Sequence, residues 1–134
     1  MNKPEIIQLP RVLDNRGNLS FVEQGRHVPF SIRRSYWIYD VPGGEGRGGH
    51  AFRRAQELII ALSGSFDVCL TDGVDSMTFS LNRSYYGLYV PAGWWRTIEN
   101  FSTNSFALIL ASTDYDAEDY IRNFEHFKEW KKTL

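Results

Sequence analysis

Between Gly44 and Gly64 the spacing is Gly-x5-His-x-Phe-x4-Glu-x6-Gly, which sets His50, Phe52 and Glu57 on one short stretch. Residues two apart on a strand face the same side, so positions 50 and 52 share a surface. Two imidazoles there could hold a metal ion together, but Phe52 leaves His50 alone. A second run, Pro91-x-Gly93-x2-Arg96-x3-Asn100, contributes a guanidinium. His50 and Glu57 facing a phenyl ring and a permanent positive charge make a poor site for Zn, Fe or Mn, which take three or four neutral or anionic ligands. Imidazole without metal can still take and return a proton near neutrality. The expectation is therefore an acid–base role for His50, with no metal and no cofactor. Arg96 would stabilise negative charge that develops in the reaction, and either His50 works alone or Tyr36, Glu57 or a water supplies a second proton transfer.

Arginines are the other chemical resource. Arg16, Arg33, Arg34, Arg47, Arg53, Arg54 and Arg96 all lie in or beside strand-like segments. Guanidinium groups grip phosphate oxygens in pairs. Arg33 and Arg34 face opposite sides of a strand, so one of them is expected to enter the pocket. Aromatic faces lie close by in sequence at Tyr36, Trp37, Tyr39, Trp94 and Trp95. The inventory suits a ligand with phosphates and flat rings, such as a nucleotide-activated sugar. Arg16, Arg33 and Arg34 are the expected phosphate grips. Tyr36, Trp37 and Trp95 are the expected stacking faces, and Arg47 and Glu57 are further substrate contacts.

The elements that must position these groups are short and separated by turn signals. Strands are expected near Ile6–Val12, Asn18–Glu23, Phe30–Tyr39, Ala51–Arg54, Glu57–Leu62, Phe66–Leu70, Met77–Leu81, Gly87–Val90, Arg96–Asn100 and Phe106–Ala111. Pro42–Gly49 holds five glycines in eight residues and reads as a loop. Asp72-Gly73 marks a hairpin. Strands this short and regular indicate an all-β sandwich or barrel, whose interior makes a natural pocket. The end differs: Tyr120, Phe124, Phe127 and Trp130 recur at helical spacing, so Asp116–Lys132 is expected to be a helix packed on the barrel or on a partner.

The bulk numbers narrow the classes. The chain has 134 residues, enough for one domain with a sizeable core. A net charge of −1 gives no general attraction for nucleic acid or an acidic membrane. Aromatics reach 15%, as a small β fold or a stacking site would use them. The single cysteine, Cys69, cannot form an internal disulfide and fits a reducing compartment. Without a leader-like start or a long apolar run, a soluble cytoplasmic protein is expected.

The two spaced runs resemble the paired motifs of cupins, with Phe52 and Arg96 standing at histidine positions. Longer matches follow. Asp14-x-Arg16-Gly17, Pro29-Phe30-Ser31-Ile32-Arg33-Arg34-x-Tyr36, Arg47-Gly48-x-His50-Ala51, Gly87-Leu88-Tyr89-Val90 and Tyr115-Asp116-x-x-Asp119-Tyr120-Ile121-Arg122-Asn123-Phe124 keep an order and spacing similar to the WxcM-like sugar 3,4-ketoisomerases. These act on dTDP-4-keto-6-deoxyglucose. The resemblance spans nearly the whole chain and implies one cupin domain over 1–134, an RmlC-like double-stranded β-helix, or jelly roll, to about residue 113 with a C-terminal helix at about 116–132. It also implies a metal-independent isomerase that moves a keto group from C4 to C3 through an enediol, in making deoxy and amino sugars for surface polysaccharide. A homodimer with exchanged N-terminal strands and a dTDP-hexose substrate are implied too. The family carries two proton-transferring histidines; His50 matches the first, and Phe52 replaces the second. A nucleotide-sugar epimerase and a non-catalytic nucleotide-sugar binder are the competing readings.

Overall fold

A computed structural model describes residues 2–134 of the chain. Twelve strands are followed or interrupted by two helical pieces: β1 Glu5–Gln8, β2 Arg11–Val12, β3 Leu19–Ser20, β4 Arg34–Tyr39, β5 Arg47–Phe52, β6 Glu57–Ser63, β7 Phe66–Thr71, β8 Ser76–Leu81, β9 Tyr86–Val90, β10 Trp95–Glu99, β11 Phe106–Ala111, a 3-10 turn Ala117–Asp119, β12 Tyr120–Ile121 and α1 Phe124–Lys132. One sheet runs β1-β9-β6-β11-β4 and the other β12-β5-β10-β7-β8. Strands 4-11-6-9 facing strands 5-10-7-8, all antiparallel, is the order of an eight-stranded jelly roll. The all-β cupin architecture expected from the sequence is the one observed.

Alternation explains the layers. On β6, Ile59 and Ala61 turn inward and join Phe66, Val68, Leu70, Leu88, Ile98, Phe101 and Ile109 between the sheets. The intervening Leu58 and Ile60 turn outward, yet they too are buried, because Leu9, Val28 and Phe30 of the N-terminal segment cover that face. The first sheet is thus buried on both sides at β6, which is why Glu57–Ala61 reads as an unbroken buried run. Gly64 makes the β6–β7 turn at φ 67, and a Cβ there would stand 2.7 Å from Ser105 Cα. Only glycine tolerates both demands.

Two expectations are corrected here. The second half of the glycine-rich stretch, Arg47–Gly49, is strand rather than loop, because it pairs with β10. Its glycine content serves a close approach: a Cβ on Gly49 would lie 2.6 Å from the Trp95 indole. The C-terminal helix is shorter than its apolar spacing predicts. Asp116 does cap a helical start, accepting from Glu118 N, but only a 3-10 turn follows. The buried Asp119 carboxylate is held by the backbone N–H groups of Arg54 and Ala55 at 2.7 and 3.1 Å, and Arg53 Nη1 donates to the carbonyls of Glu118 and Tyr120 at 2.9 and 3.2 Å. These bonds pull Tyr120–Ile121 out as a strand against Phe52–Ala51. The α-helix starts only at Phe124, capped by Asn123, whose side chain accepts from His126 N. Phe127 then packs, fully buried, against Ala51 and Ile121 with Trp95 and Trp130.

Candidate active site

The inward faces of the strands decide which groups meet. On β10, Arg96 and Ile98 are buried while Trp95 and Thr97 face out. Arg96 lies directly across from His50 on β5, and the pairing slips between Arg96 and Ile98. Such an irregularity re-aims side chains and recurs beside active sites. On β4, Arg34, Tyr36 and Ile38 are the half-buried, inward set. Glu57 opens β6 on the core side. One end of the barrel therefore carries polar groups, while Phe66 and Phe101 fill the apolar interior.

A cavity of about 670 Å³ opens at that polar end. Tyr36, Arg47, His50, Arg96, Tyr120 and Arg122 supply its chemistry. Its floor is a tightly bonded set. Arg96 Nε donates to Glu57 Oε1 at 3.1 Å, and Arg96 Nη2 lies 3.0 Å from the same oxygen. Arg96 Nη2 also donates to the Tyr36 hydroxyl at 2.9 Å, and that hydroxyl donates to Glu57 Oε2. The ion pair is almost wholly removed from water, with side-chain exposures of 4% and 1%. Burial works against the Arg96 charge, but Glu57 and Tyr36 outweigh it and keep its pKa above the ordinary value. Tyr36 is pushed well up by burial and by the Glu57 carboxylate, only partly offset by Arg96, so its proton is firmly held.

His50 sits against aromatic edges. Its ring centroid is 4.8 Å from Phe52 and 5.1 Å from Tyr120. Its Nε2 is buried with no hydrogen-bond partner among the described residues. Burial, then the charges of Arg96, Arg122 and Arg34, lower its pKa to about 2. In the free pocket the imidazole is thus neutral, with an open lone pair or N–H at the cavity wall. Arg34 places its guanidinium 5.3 Å from the Tyr36 ring and 6.0 Å from Phe52.

Arg47 and Trp37 line the cavity mouth, both exposed. Of the arginine pair, Arg34 faces inward and Arg33 faces out to Asp114, 3.0 Å away. Arg16 lies outside the cavity of its own chain, bonded to Asp14 at 2.8 Å in the turn before β3. Trp95 turns the other way on β10 and packs on Phe124 and Phe127 at 5.3 and 5.8 Å. The structure corrects its expected place as a stacking face: odd and even positions of a strand face opposite sides, and Arg96 has the inside. Tyr120 and Arg122 were not expected in the site. Their two-residue spacing on a strand would have put them on one face, had the segment not read as helix.

The donor set does not fit a cupin metal. Phe52 and Arg96 occupy two imidazole positions, and both oxygens of Glu57 are engaged by Arg96 and Tyr36. No cluster of three or more His, Cys, Asp or Glu side chains is placed to hold an ion among the described residues.

Known proteins match this fold and this chain over nearly its full length. The family described as FdtA, WxcM-like, C-terminal matches residues 2–132. The TDP-4-oxo-6-deoxy-alpha-D-glucose-3,4-oxoisomerase of Aneurinibacillus thermoaerophilus is 36% identical over 126 residues, covering 94% of this chain and 91% of that protein. The TDP-quinovose 3,4-ketoisomerase of Campylobacter jejuni superimposes with a TM-score of 0.91 at 40% identity, covering 96% of this chain and 99% of that one. A sugar 3,4-ketoisomerase from Thermoanaerobacterium thermosaccharolyticum, solved with TDP, gives 0.94 at 30% identity over 98% of this chain and 96% of that one. With its jelly roll, its His50–Arg96 pairing and these matches across nearly all of its length, the chain belongs to the FdtA, WxcM-like C-terminal family.

Proposed function

We propose that the protein is a metal-independent sugar 3,4-ketoisomerase, which moves the keto group of a dTDP-linked 4-keto-6-deoxyhexose from C4 to C3 through an enediol. The observation that carries this reading is the buried, unpartnered Nε2 of His50 on the wall of a cationic cavity. A base that takes a proton from carbon must be deprotonated and unengaged beforehand, and His50 meets both conditions. Its basicity has to rise once substrate is bound. The diphosphate and the developing enediolate supply negative charge, which offsets the arginines that hold its pKa down in the free pocket.

The remaining roles follow from charge and placement. Arg96 stabilises the enediolate oxygen with a charge that Glu57 and Tyr36 keep fixed in place. Tyr36 acts as the link that orients Arg96, since its own proton is committed to Glu57. Arg47 and Arg122 on the cavity wall, with the inward-facing Arg34 of β4, are the cations available to a diphosphate. Trp37 is the remaining flat face there. The relatives' names support the substrate: one acts on TDP-4-oxo-6-deoxy-glucose, and another was solved with TDP.

The wider setting belongs to the same proposal. Residues 2–134 fold as one cupin domain, Met1 lying outside the described residues, and the protein works in the cytoplasm, in making deoxy sugars for surface polysaccharide. It acts as a homodimer with exchanged N-terminal strands. Exposed Val12, Leu13, Leu19 and Phe21 in the N-terminal hairpin, and exposed Trp37 and Tyr39 on edge strand β4, are apolar area that a second copy would cover.

The test is incubation with dTDP-4-keto-6-deoxyglucose in deuterium oxide with a chelator present, followed by NMR at C3 and C4. Wild-type protein should give a 3-keto product, with deuterium at C4 to the extent that the proton on His50 exchanges with solvent before its return, and His50→Asn should not. Tight TDP binding with neither 3-keto product nor exchange would leave a non-catalytic binder, and loss of turnover on chelation would reject the metal-free reading. Inversion at carbon without keto transfer would indicate an epimerase.

A further inference from the structure

Moving a ketone along a sugar needs two proton transfers at oxygen as well as two at carbon. Phe52, at the position of the second family histidine, has no proton to give, and the Tyr36 proton is held by Glu57. We propose that the Tyr120 hydroxyl is the second proton carrier of this site, serving the ketone oxygen and the neighbouring hydroxyl. This rests on the keto-sugar reading above.

The geometry singles Tyr120 out. It lines the cavity beside His50 and Arg96. Its ring meets His50 at 5.1 Å and Phe52 at 4.6 Å, so it occupies the space next to the missing imidazole. The Arg122 guanidinium lies 4.2 Å from the ring centroid and holds it from the open side. Its backbone is fixed as well, by pairing with Phe52 on β5 and by Arg53 on its carbonyl. A hydroxyl on a well-anchored ring, next to the base and with no hydrogen bond to another protein group among the described residues, is placed to exchange protons with substrate.

The steps balance without an oxidant. His50 takes hydrogen from C3 as a proton, and that bond's electron pair forms C3=C4. The C4=O4 π pair moves to O4, which takes the Tyr120 proton. Tyr120 oxygen then takes the proton of O3, and the O3–H pair forms C3=O3. The C3=C4 π pair takes the proton from His50 at C4. Both side chains end as they began.

Four proteins should be compared on dTDP-4-keto-6-deoxyglucose: wild type, Tyr120→Phe, Phe52→His and the double variant. Tyr120→Phe removes one oxygen and keeps the ring packing, so its thermal midpoint and TDP affinity should stay at wild-type values. Its kcat should fall on the order of 100-fold. In the double variant, an imidazole at position 52 should recover much of that loss. Tyr120→Phe turning over at the wild-type rate would overturn the proposal. So would a slow Tyr120→Phe with weakened TDP binding and no recovery from Phe52→His, which would make the residue a positioning one. A wild-type protein that does not isomerise this sugar would overturn the function and this inference together, and only that result touches both.

Discussion

Arg96 and Arg16 make nearly the same bond, a guanidinium to a carboxylate at 3.0 and 2.8 Å, and the two pairs could hardly differ more in consequence. Arg16 and Asp14 stand in water with side-chain exposures of 89% and 38%. Arg96 and Glu57 stand in the barrel at 4% and 1%. Exposed pairs gain little because water solvates each partner nearly as well, whereas a buried charge that loses its partner has nothing to replace it. The contrast teaches that arginines alike in sequence divide by burial into a fixed electrostatic floor and a set of solvent-exposed charges.

The largest effect should come from Arg96→Met. It strands the Glu57 carboxylate in the barrel and should cost about 3–5 kcal/mol of stability in urea unfolding. Arg96→Met with Glu57→Leu should recover most of that, since an apolar pair leaves no orphan charge. If the single variant is as stable as wild type, the buried pair is not the structural anchor described here. Tyr36→Phe comes next. It removes the hydroxyl that bridges Arg96 and Glu57, and the expected loss is about 1–3 kcal/mol.

The pH dependence sharpens the same contrast. His50 has a folded pKa of about 2, below the 6.5 of an ordinary histidine, so the unfolded chain binds the extra proton. Stability from this group is present above pH 6.5 and is lost as pH falls toward 2, by up to about 1.4 kcal/mol per unit. Unfolding at several pH values between 7 and 4 should show a flatter slope in His50→Asn than in wild type. Last and smallest, Arg16→Ala should leave the unfolding midpoint where it is. A drop like that of Arg96→Met would break the comparison outright.

The motif spacing made much of this legible. Gly64 had to turn, and His50 and Phe52 had to share a face, because turn chemistry and strand alternation are local properties. Trp95 shows where such reading stops. Its ring type suited a stacking role, but only the pairing of β10 with β5 shows it lying over Gly49 and beneath the helix. Tyr120 shows the converse. Its helical spacing with Phe124 and Phe127 was real, yet hydrogen bonds from residues 53–55 to Asp119 and to the carbonyls of Glu118 and Tyr120 drew it into a strand and turned it to the cavity.

By itself, then, the order of residues determined an all-β sandwich or barrel, a lone histidine in a spaced motif and several arginines in or beside strands. These follow from periodicity, turn chemistry and residue type, which act over a few neighbours. Tertiary structure alone decided which arginine was buried against Glu57 and which stayed in water, and which aromatic faced the base. Those outcomes depend on contacts between residues about 40 to 70 positions apart, and no local pattern encodes them.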